Sequence, residues 1–402
     1  MSGIARPEPL RVRPEKDKGK DMPNKDLRGK VAVAGVGRTT YGRLPGQSPE
    51  DLGIWALDEA LDDCGLSRGD IDGLIVNRIP DYQIFCEMTQ ISPRFVNVTL
   101  GQGRMSGATI QIAAMAIATG MCDVIALVYG NNGRSAGAKY GGTGDRYGGA
   151  GGGAWFPYGM TSPGAAHAMM FARHQHLYGT TANQLAHVSM TFRDHAALNP
   201  HAVMRTPVTI ENYHASRFIV EPLHIFDYCL INDGGVAMIL TSAERARDMK
   251  KKPVYIRGFA QETRLPGSDI PPEDFWREPL ARVASEVEEM SGTTKSDLSA
   301  AMIYDNFSPT VLFSLEGCGF CPVGESGAFV ADGNLALGGS LPTNTSGGHL
   351  SESYMQGWAL NFEAVQQLRG ECGDRQVQDA DLIQYICAAP MMTSIIYGSD
   401  PT

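Results

Sequence analysis

Short apolar runs bounded by charged or glycine-containing turns alternate along this chain with longer segments whose apolar residues recur at helical spacing. Lys30-Val-Ala-Val-Ala-Gly-Val36 reads as a strand. Ser48-Pro-Glu-Asp51 follows as an N-cap with proline at the first helical position, and apolar residues at helical spacing continue through Leu61. Leu66-Ser-Arg-Gly-Asp-Ile-Asp-Gly-Leu-Ile-Val76 is a loop running into a second strand. Ser106 to Thr119 is alanine-rich with no charged face, which predicts a helix buried all round with Ser106 as its N-cap. The strand Asp123-Val-Ile-Ala-Leu-Val-Tyr129 comes next.

The same order recurs in the second half. Lys252-Pro-Val-Tyr-Ile-Arg-Gly258 repeats the first strand, a helix over roughly 276–290 repeats the first helix, and Thr294 to Tyr304 echoes Leu66 to Val76. Ser346-Gly-Gly348 starts a helix as Ser106-Gly107 does, and Asp381 to Ile386 answers Asp123 to Tyr129. An internal duplication of a β/α unit is the simplest account, with strands at the core and helices around them. The divisions are a charged, proline-containing mobile tail over 1–27, a first half over 28–248 and a second half over 249–402. An insertion at about 131–225 interrupts the first half; its Gly141 to Ala154 stretch lacks the Gly-Lys-Ser/Thr of a phosphate loop and reads as a flexible cover.

Composition narrows the function. A net charge of −10 argues against nucleic acid or an anionic membrane as the main partner, and 43% hydrophobic content suits a globular chain. The apolar runs fall far short of the roughly 20 residues of a membrane span. The charged N-terminus has no signal-peptide core, which predicts a cytoplasmic protein. Eight cysteines in 402 residues do not form a disulfide framework. Cys318-Gly-Phe-Cys321 has no second pair and no spaced histidines, and His174 and His176 point in different directions on a helix, so no metal site is expected.

Three short polar turns remain: Ile303-Tyr-Asp-Asn-Phe-Ser308, Asn344 to Gly357, and Ile386-Cys-Ala-Ala389. Glycine pairs let backbone approach a ligand, and a helix starting after Gly347-Gly348 would aim its free N–H groups forward, as acyl and phosphate sites require. Tyr304 and Tyr354 stand in these turns. Together with Asn232-Asp-Gly-Gly-Val-Ala237 and Gly319-Phe-Cys-Pro-Val-Gly-Glu-Ser-Gly327, the turns resemble the thiolase superfamily, in its branch of thiolase-like lipid-transfer proteins related to the sterol carrier protein thiolases. The resemblance runs from about residue 29 to the end of the chain. It implies an α/β thiolase fold of two βαβαβαββ halves in a five-layered α/β/α/β/α arrangement, an inserted loop domain and a homodimer.

The departures redirect the chemistry. Where a thiolase presents its nucleophilic cysteine ahead of the buried helix, this chain has Arg104-Met105-Ser106-Gly107. By the same resemblance Tyr354 replaces the histidine that helps hold the thioester oxygen, Tyr304 opens Tyr-Asp-Asn-Phe in place of the sterol carrier branch's His-Asp-Cys-Phe, and Cys387-Ala388-Ala389 stands for Cys-x-Gly. Without the nucleophile, covalent acyl transfer loses its central step. Two phenols beside backbone donors suit a retro-aldol cleavage of a β-hydroxyacyl-CoA, giving a ketone or aldehyde and acetyl- or propionyl-CoA. The pattern resembles the thiolase-like aldolases of steroid side-chain degradation, which implies a zinc-ribbon/OB-fold partner protein in a heteromeric complex. The expected site is Tyr304 and Tyr354 as an acid/base pair of open order, with Arg104, Gly348, His349, Cys387 and Ala389 toward the substrate. No cofactor is expected beyond the coenzyme A of the substrate. The alternatives are a thiolase-fold acyltransferase using Cys387 and a non-catalytic lipid carrier or scaffold.

Overall fold

The computed structural model describes residues 27–101, 103–139, 163–264 and 272–402. The tail expected over 1–27, apart from Leu27, and the stretch Gly141 to Ala154 lie outside these residues. The first half runs β1 (Val31–Arg38), α1 (Pro49–Cys64), β2 (Gly73–Asn77), α2 (Tyr82–Thr89), β3 (Phe95–Thr99), α3 (Met105–Ala118) and β4 (Val124–Asn131). The insertion contributes α4 (Pro163–Tyr178), α5 (Ala182–Ala197), α6 (Ile210–Ala215) and the small hairpin β5 (Phe218–Val220) and β6 (Leu223–His224). Then come β7 (Gly234–Ser242) and the single turn α7 (Ala243–Ala246). The second half runs β8 (Val254–Thr263), α8 (Arg277–Ser291), β9 (Ala300–Ile303), α9 (Ser308–Gly317), α10 (Ser326–Ala331), α11 (Gly348–Ser351), α12 (Trp358–Arg369), β10 (Leu382–Cys387) and β11 (Met391–Gly398).

Local sequence explains the element ends. The Ser48 hydroxyl accepts from Asp51 N, the Asp51 carboxylate accepts from Ser48 N, and Pro49 occupies the first helical position; α1 stops at Gly65 in the left-handed conformation, φ 75°. The duplication is visible in a matched pair of one-turn caps. The Asp70 carboxylate accepts from the backbone and hydroxyl of Ser67, and Asp297 does the same for Thr294. Each cap leads into the second strand of its half.

In the first half the strand order is β3-β2-β4-β7-β1 and in the second β8-β11-β10-β9. β2 runs parallel to β3 and β4, and β9 parallel to β10; the other neighbours are antiparallel. Among the described residues the second half has no counterpart of β3, whose place is held by one parallel bridge between Ala301 and Thr343. β1 and β8 pair only at Ala32 with Tyr255 and Val33 with Val254, which joins the two half-sheets into nine strands.

Alternation along the strands sorts side chains into layers. One face of both half-sheets, including Ile75, Leu127, Met238, Met302, Ile383 and Ile395, packs on α3 and α12 in a shared central layer. The opposite face of the first half-sheet packs on α1, and that of the second on α8 and α9. The result is the five-layered α/β/α/β/α thiolase arrangement. Glycine at position 37 is required where α1 crosses β1, because a side-chain carbon there would strike the backbone of Ala56 and Ala60.

Two expectations need correction. Ser346-Gly-Gly348 does not open the counterpart of α3: α11 is a single turn, the chain breaks over 352–357, and α12 begins at Trp358 behind Gly357 at φ 90°. Ser106 does not cap α3 either, since Arg104 holds the cap position without a side-chain bond and Ser106 lies inside the helix.

Candidate active site

The carboxyl ends of adjacent parallel strands are where side chains are free to meet a ligand. Tyr304 directly follows β9 and Cys387 ends β10, its parallel neighbour; Tyr304 N–H donates to Ile386 O at 2.8 Å. Asn344 fixes the end of β9 in place of the missing strand. Its Oδ1 accepts from Ile303 N at 2.7 Å and its Nδ2 donates to Ile303 O at 2.8 Å. Asn344 takes the left-handed conformation, φ 49°, which asparagine tolerates better than most residues.

Asp305 ties this strand end to α11. Its carboxylate oxygens accept from His349 N at 2.9 Å and Leu350 N at 3.2 Å, so the free N–H groups at the start of α11 face a protein carboxylate. Gly348, φ 60°, passes so close to this carboxylate that a side-chain carbon would strike it. His349 is fully buried. Its Nε2 accepts from Gly357 N at 3.0 Å, which places the ring proton on Nδ1, 3.2 Å from Asp305 Oδ1. Burial lowers the imidazole to about 3, so the ring is neutral. It presents its edge to Tyr304, with centroids 4.7 Å apart, and to Tyr354, 5.1 Å apart.

Tyr354 hangs from the broken turn between α11 and α12, its N–H donating to Asn232 Oδ1 at 2.8 Å. The phenolic oxygens of Tyr304 and Tyr354 are 2.7 Å apart, and the residues are 3% and 7% exposed. Burial pushes both phenols up. Tyr304 is raised further by Tyr354 and by the nearby thiols of Cys387 and Cys229; Tyr354 is raised further by Cys229 and Tyr129, against the lowering effect of its bond with Tyr304 and of the Arg78 charge. Gly103 forms the wall of the pair. A side-chain carbon there would fall on the Tyr304 oxygen and within 2.9 Å of the Tyr354 oxygen.

Of the remaining predicted residues, Arg104 is half-buried at the start of α3 and its charge opposes the rise of the Cys387 thiol. Burial nevertheless pushes Cys387 up to about 12. Ala389 is buried just beyond β10. Ser106 lies near the same strand end, its hydroxyl 2.9 Å from that of Tyr385. Sequence reasoning did not single out Arg78, Gly103, Cys229 or Tyr385. No local signal marks them, because Arg78, Gly103 and Cys229 reach the phenols through the packing of the first half on the second, and Tyr385 meets Ser106 of the first half.

The Tyr354 turn is anchored by Glu352, whose carboxylate accepts from Ser346 Oγ at 2.6 Å, Asn199 Nδ2 at 3.2 Å and Arg38 Nη1 at 3.3 Å. Burial raises this carboxyl from 4.5 to about 7 against the pull of Arg38. A carboxyl raised on folding contributes stability below its unfolded pKa and loses it as pH rises to the folded value. Stability relative to a Glu352→Gln variant should therefore fall between pH 4.5 and about 7, by up to about 1.4 kcal/mol per unit, and then level off. Paired urea melts across that range test this; a difference independent of pH would refute it.

Among the described residues, no helix is long and apolar enough to cross a membrane and no three His, Cys, Asp or Glu side chains are placed to hold a metal ion. Cys318 and Cys321 are buried free thiols, both pushed up by burial to about 12.

A family model described as Thiolase C-terminal domain-like matches residues 270–393. The chain is 38% identical over 390 residues to a steroid side-chain-cleaving aldolase of Thermomonospora curvata, covering 93% of this chain and 99% of that protein. It is 38% identical over 360 residues to the 17-hydroxy-3-oxo-4-pregnene-20-carboxyl-CoA lyase of Mycobacterium tuberculosis, covering 86% and 92%. Among solved structures, an Ltp2-ChsH2(DUF35) aldolase superposes with a TM-score of 0.84 at 35% identity, over 93% of this chain and 99% of that one. The chain belongs to the thiolase-like family and is a carbon–carbon lyase of its aldolase branch.

Proposed function

We propose that this protein cleaves a β-hydroxyacyl-CoA by a retro-aldol reaction in which Tyr354 is the base and Tyr304 the acid. The observation that carries the reading is the 2.7 Å contact between the two buried phenols. Ionised Tyr354 takes the proton of the substrate's β-hydroxyl. The oxygen lone pair forms the carbonyl of a ketone or aldehyde, the Cα–Cβ bond breaks, and its electron pair enters the thioester as an enolate. Tyr304 delivers a proton to Cα and recovers one across the hydrogen bond from Tyr354, so protons balance without an outside donor. The order of roles leans on one difference between the phenols: burial and Cys229 raise both, but the Arg78 cation acts to lower Tyr354, whereas every group acting on Tyr304 raises it. His349 and Gly348 serve in this scheme as positioning residues, since the imidazole is held at Nε2 by Gly357 N and packs against both phenols, and Gly348 passes against Asp305.

The names of the relatives support a bulky steroid-like acyl group, with acetyl- or propionyl-CoA as the short product. The solved aldolase is named as two proteins, which supports a second protein of the zinc-ribbon/OB-fold kind as partner. A homodimer would cover the open edge of the sheet, where Val96 and Val98 of β3 and Ile84 and Met88 of α2 are exposed. Eight free thiols suit a cytoplasmic setting.

The test is incubation with a tertiary β-hydroxyacyl-CoA, with and without the partner protein, looking for ketone and short acyl-CoA in equal amounts. The rate should survive iodoacetamide and a Cys387→Ser substitution, because Cys387 is buried and burial pushes its thiol up, away from the thiolate that covalent attack requires. Inactivation prevented by acyl-CoA would identify covalent acyl transfer instead.

A further inference from the structure

We propose that Tyr129 is a third catalytic phenol, donating a hydrogen bond to the thioester oxygen as that oxygen takes up enolate charge. The inference rests on the aldolase reading above and adds a residue to it.

Tyr129 lies near the carboxyl end of β4, the first-half strand whose parallel neighbour β2 ends beside Arg78. It is 0% exposed, and among the described residues its hydroxyl has no hydrogen-bond partner. Leaving a buried O–H donor unpaired costs free energy, so such a group calls for a ligand or water to complete it. The ring belongs to the same packed cluster as Tyr304, Tyr354, Cys229 and Cys387. Its centroid is 6.4 Å from that of Trp358, four residues beyond Tyr354, and the Trp358 indole donates to Asn77 Oδ1 at 3.1 Å, next to Arg78. Tyr129 and Tyr354 lie within electrostatic reach of one another, and the Arg78 charge acts on both. Burial holds the Tyr129 phenol protonated, which suits a donor that never gives up its proton.

The chemistry leaves a vacancy of this kind. When the Cα–Cβ bond breaks, its electron pair becomes the enolate double bond and the carbonyl pair moves onto the thioester oxygen, which then needs a preorganised donor. The start of α11 cannot supply it, because His349 N and Leu350 N already donate to Asp305. Tyr304 and Tyr354 are committed to proton transfer. Tyr129 keeps its proton throughout and contributes only the hydrogen bond.

Tyr129→Phe removes one oxygen and no volume. With full-length enzyme and a β-hydroxyacyl-CoA, kcat should fall about a hundredfold with little change in KM, the usual scale for losing one oxyanion donor. The melting temperature should hold or rise, since the lost hydroxyl bonds to no protein group. Unchanged kcat would overturn the proposal, as would a loss of kcat accompanied by a lower melting temperature, which would mark a structural role. Tyr304→Phe and Tyr354→Phe are assayed alongside. If they keep full turnover, the aldolase reading falls and Tyr129 falls with it; if they lose turnover while Tyr129→Phe does not, only the Tyr129 assignment fails.

Discussion

Replacing either Tyr304 or Tyr354 by phenylalanine should lower kcat by at least about a hundredfold while leaving KM within a few-fold, because each change deletes a proton-transfer group and little binding surface. The two losses should not add. The phenols share one hydrogen bond at 2.7 Å, so removing one oxygen already interrupts the path from substrate hydroxyl to substrate carbon, and the double variant should be little slower than the worse single one. Steady-state kinetics of the two single variants and the double variant test this. Independent, multiplicative losses would mean that the tyrosines act on separate steps.

Gly103→Ala should be nearly as damaging although residue 103 carries no reactive group. Its new methyl would occupy the position of the Tyr304 phenolic oxygen and crowd that of Tyr354 at 2.9 Å. Tyr304 is held from behind by its N–H bond to Ile386 and by the Asn344 clamp on Ile303, so its ring has little room to retreat. Displacing a reacting atom by about 1 Å costs on the order of a hundredfold in rate. We expect that loss in kcat, together with a destabilisation of about 1–3 kcal/mol from overpacking. Gly103→Ala combined with Tyr304→Phe should recover part of the stability, because the oxygen in conflict is gone, but none of the activity. Kinetics and thermal melts of the three proteins separate the two effects; full activity in Gly103→Ala would show that the wall yields freely.

The duplicated β/α plan was legible because each half writes it in local signals: the Ser48-Pro49 start of α1, the Ser67 and Thr294 caps, and apolar alternation sharp enough to divide residues between two sheet faces. The two tyrosines were legible because they stand in short turns following strand-like or glycine-rich segments. What the sequence hid depends on distance in space. Ser106 carries the residue type of an N-cap, yet its hydroxyl meets Tyr385, 279 positions away, and the helix starts earlier. The Gly347-Gly348 pair suggested a helix whose free N–H groups face a ligand, but Asp305 takes those groups, and the helix is a single turn followed by a break that Glu352 anchors. Arg78 gives no sign in the sequence of its left-handed backbone, φ 61°, or of its effect on Tyr354.

The carboxylate of Asp305 seated against α11 has a consequence for inhibitors. Here the His349 and Leu350 N–H groups are already taken by Asp305, so a carboxylate or phosphonate aimed at that turn would find those donors occupied. Compounds that mimic the neutral enol, with a hydroxyl poised between phenols, should discriminate in favour of this enzyme.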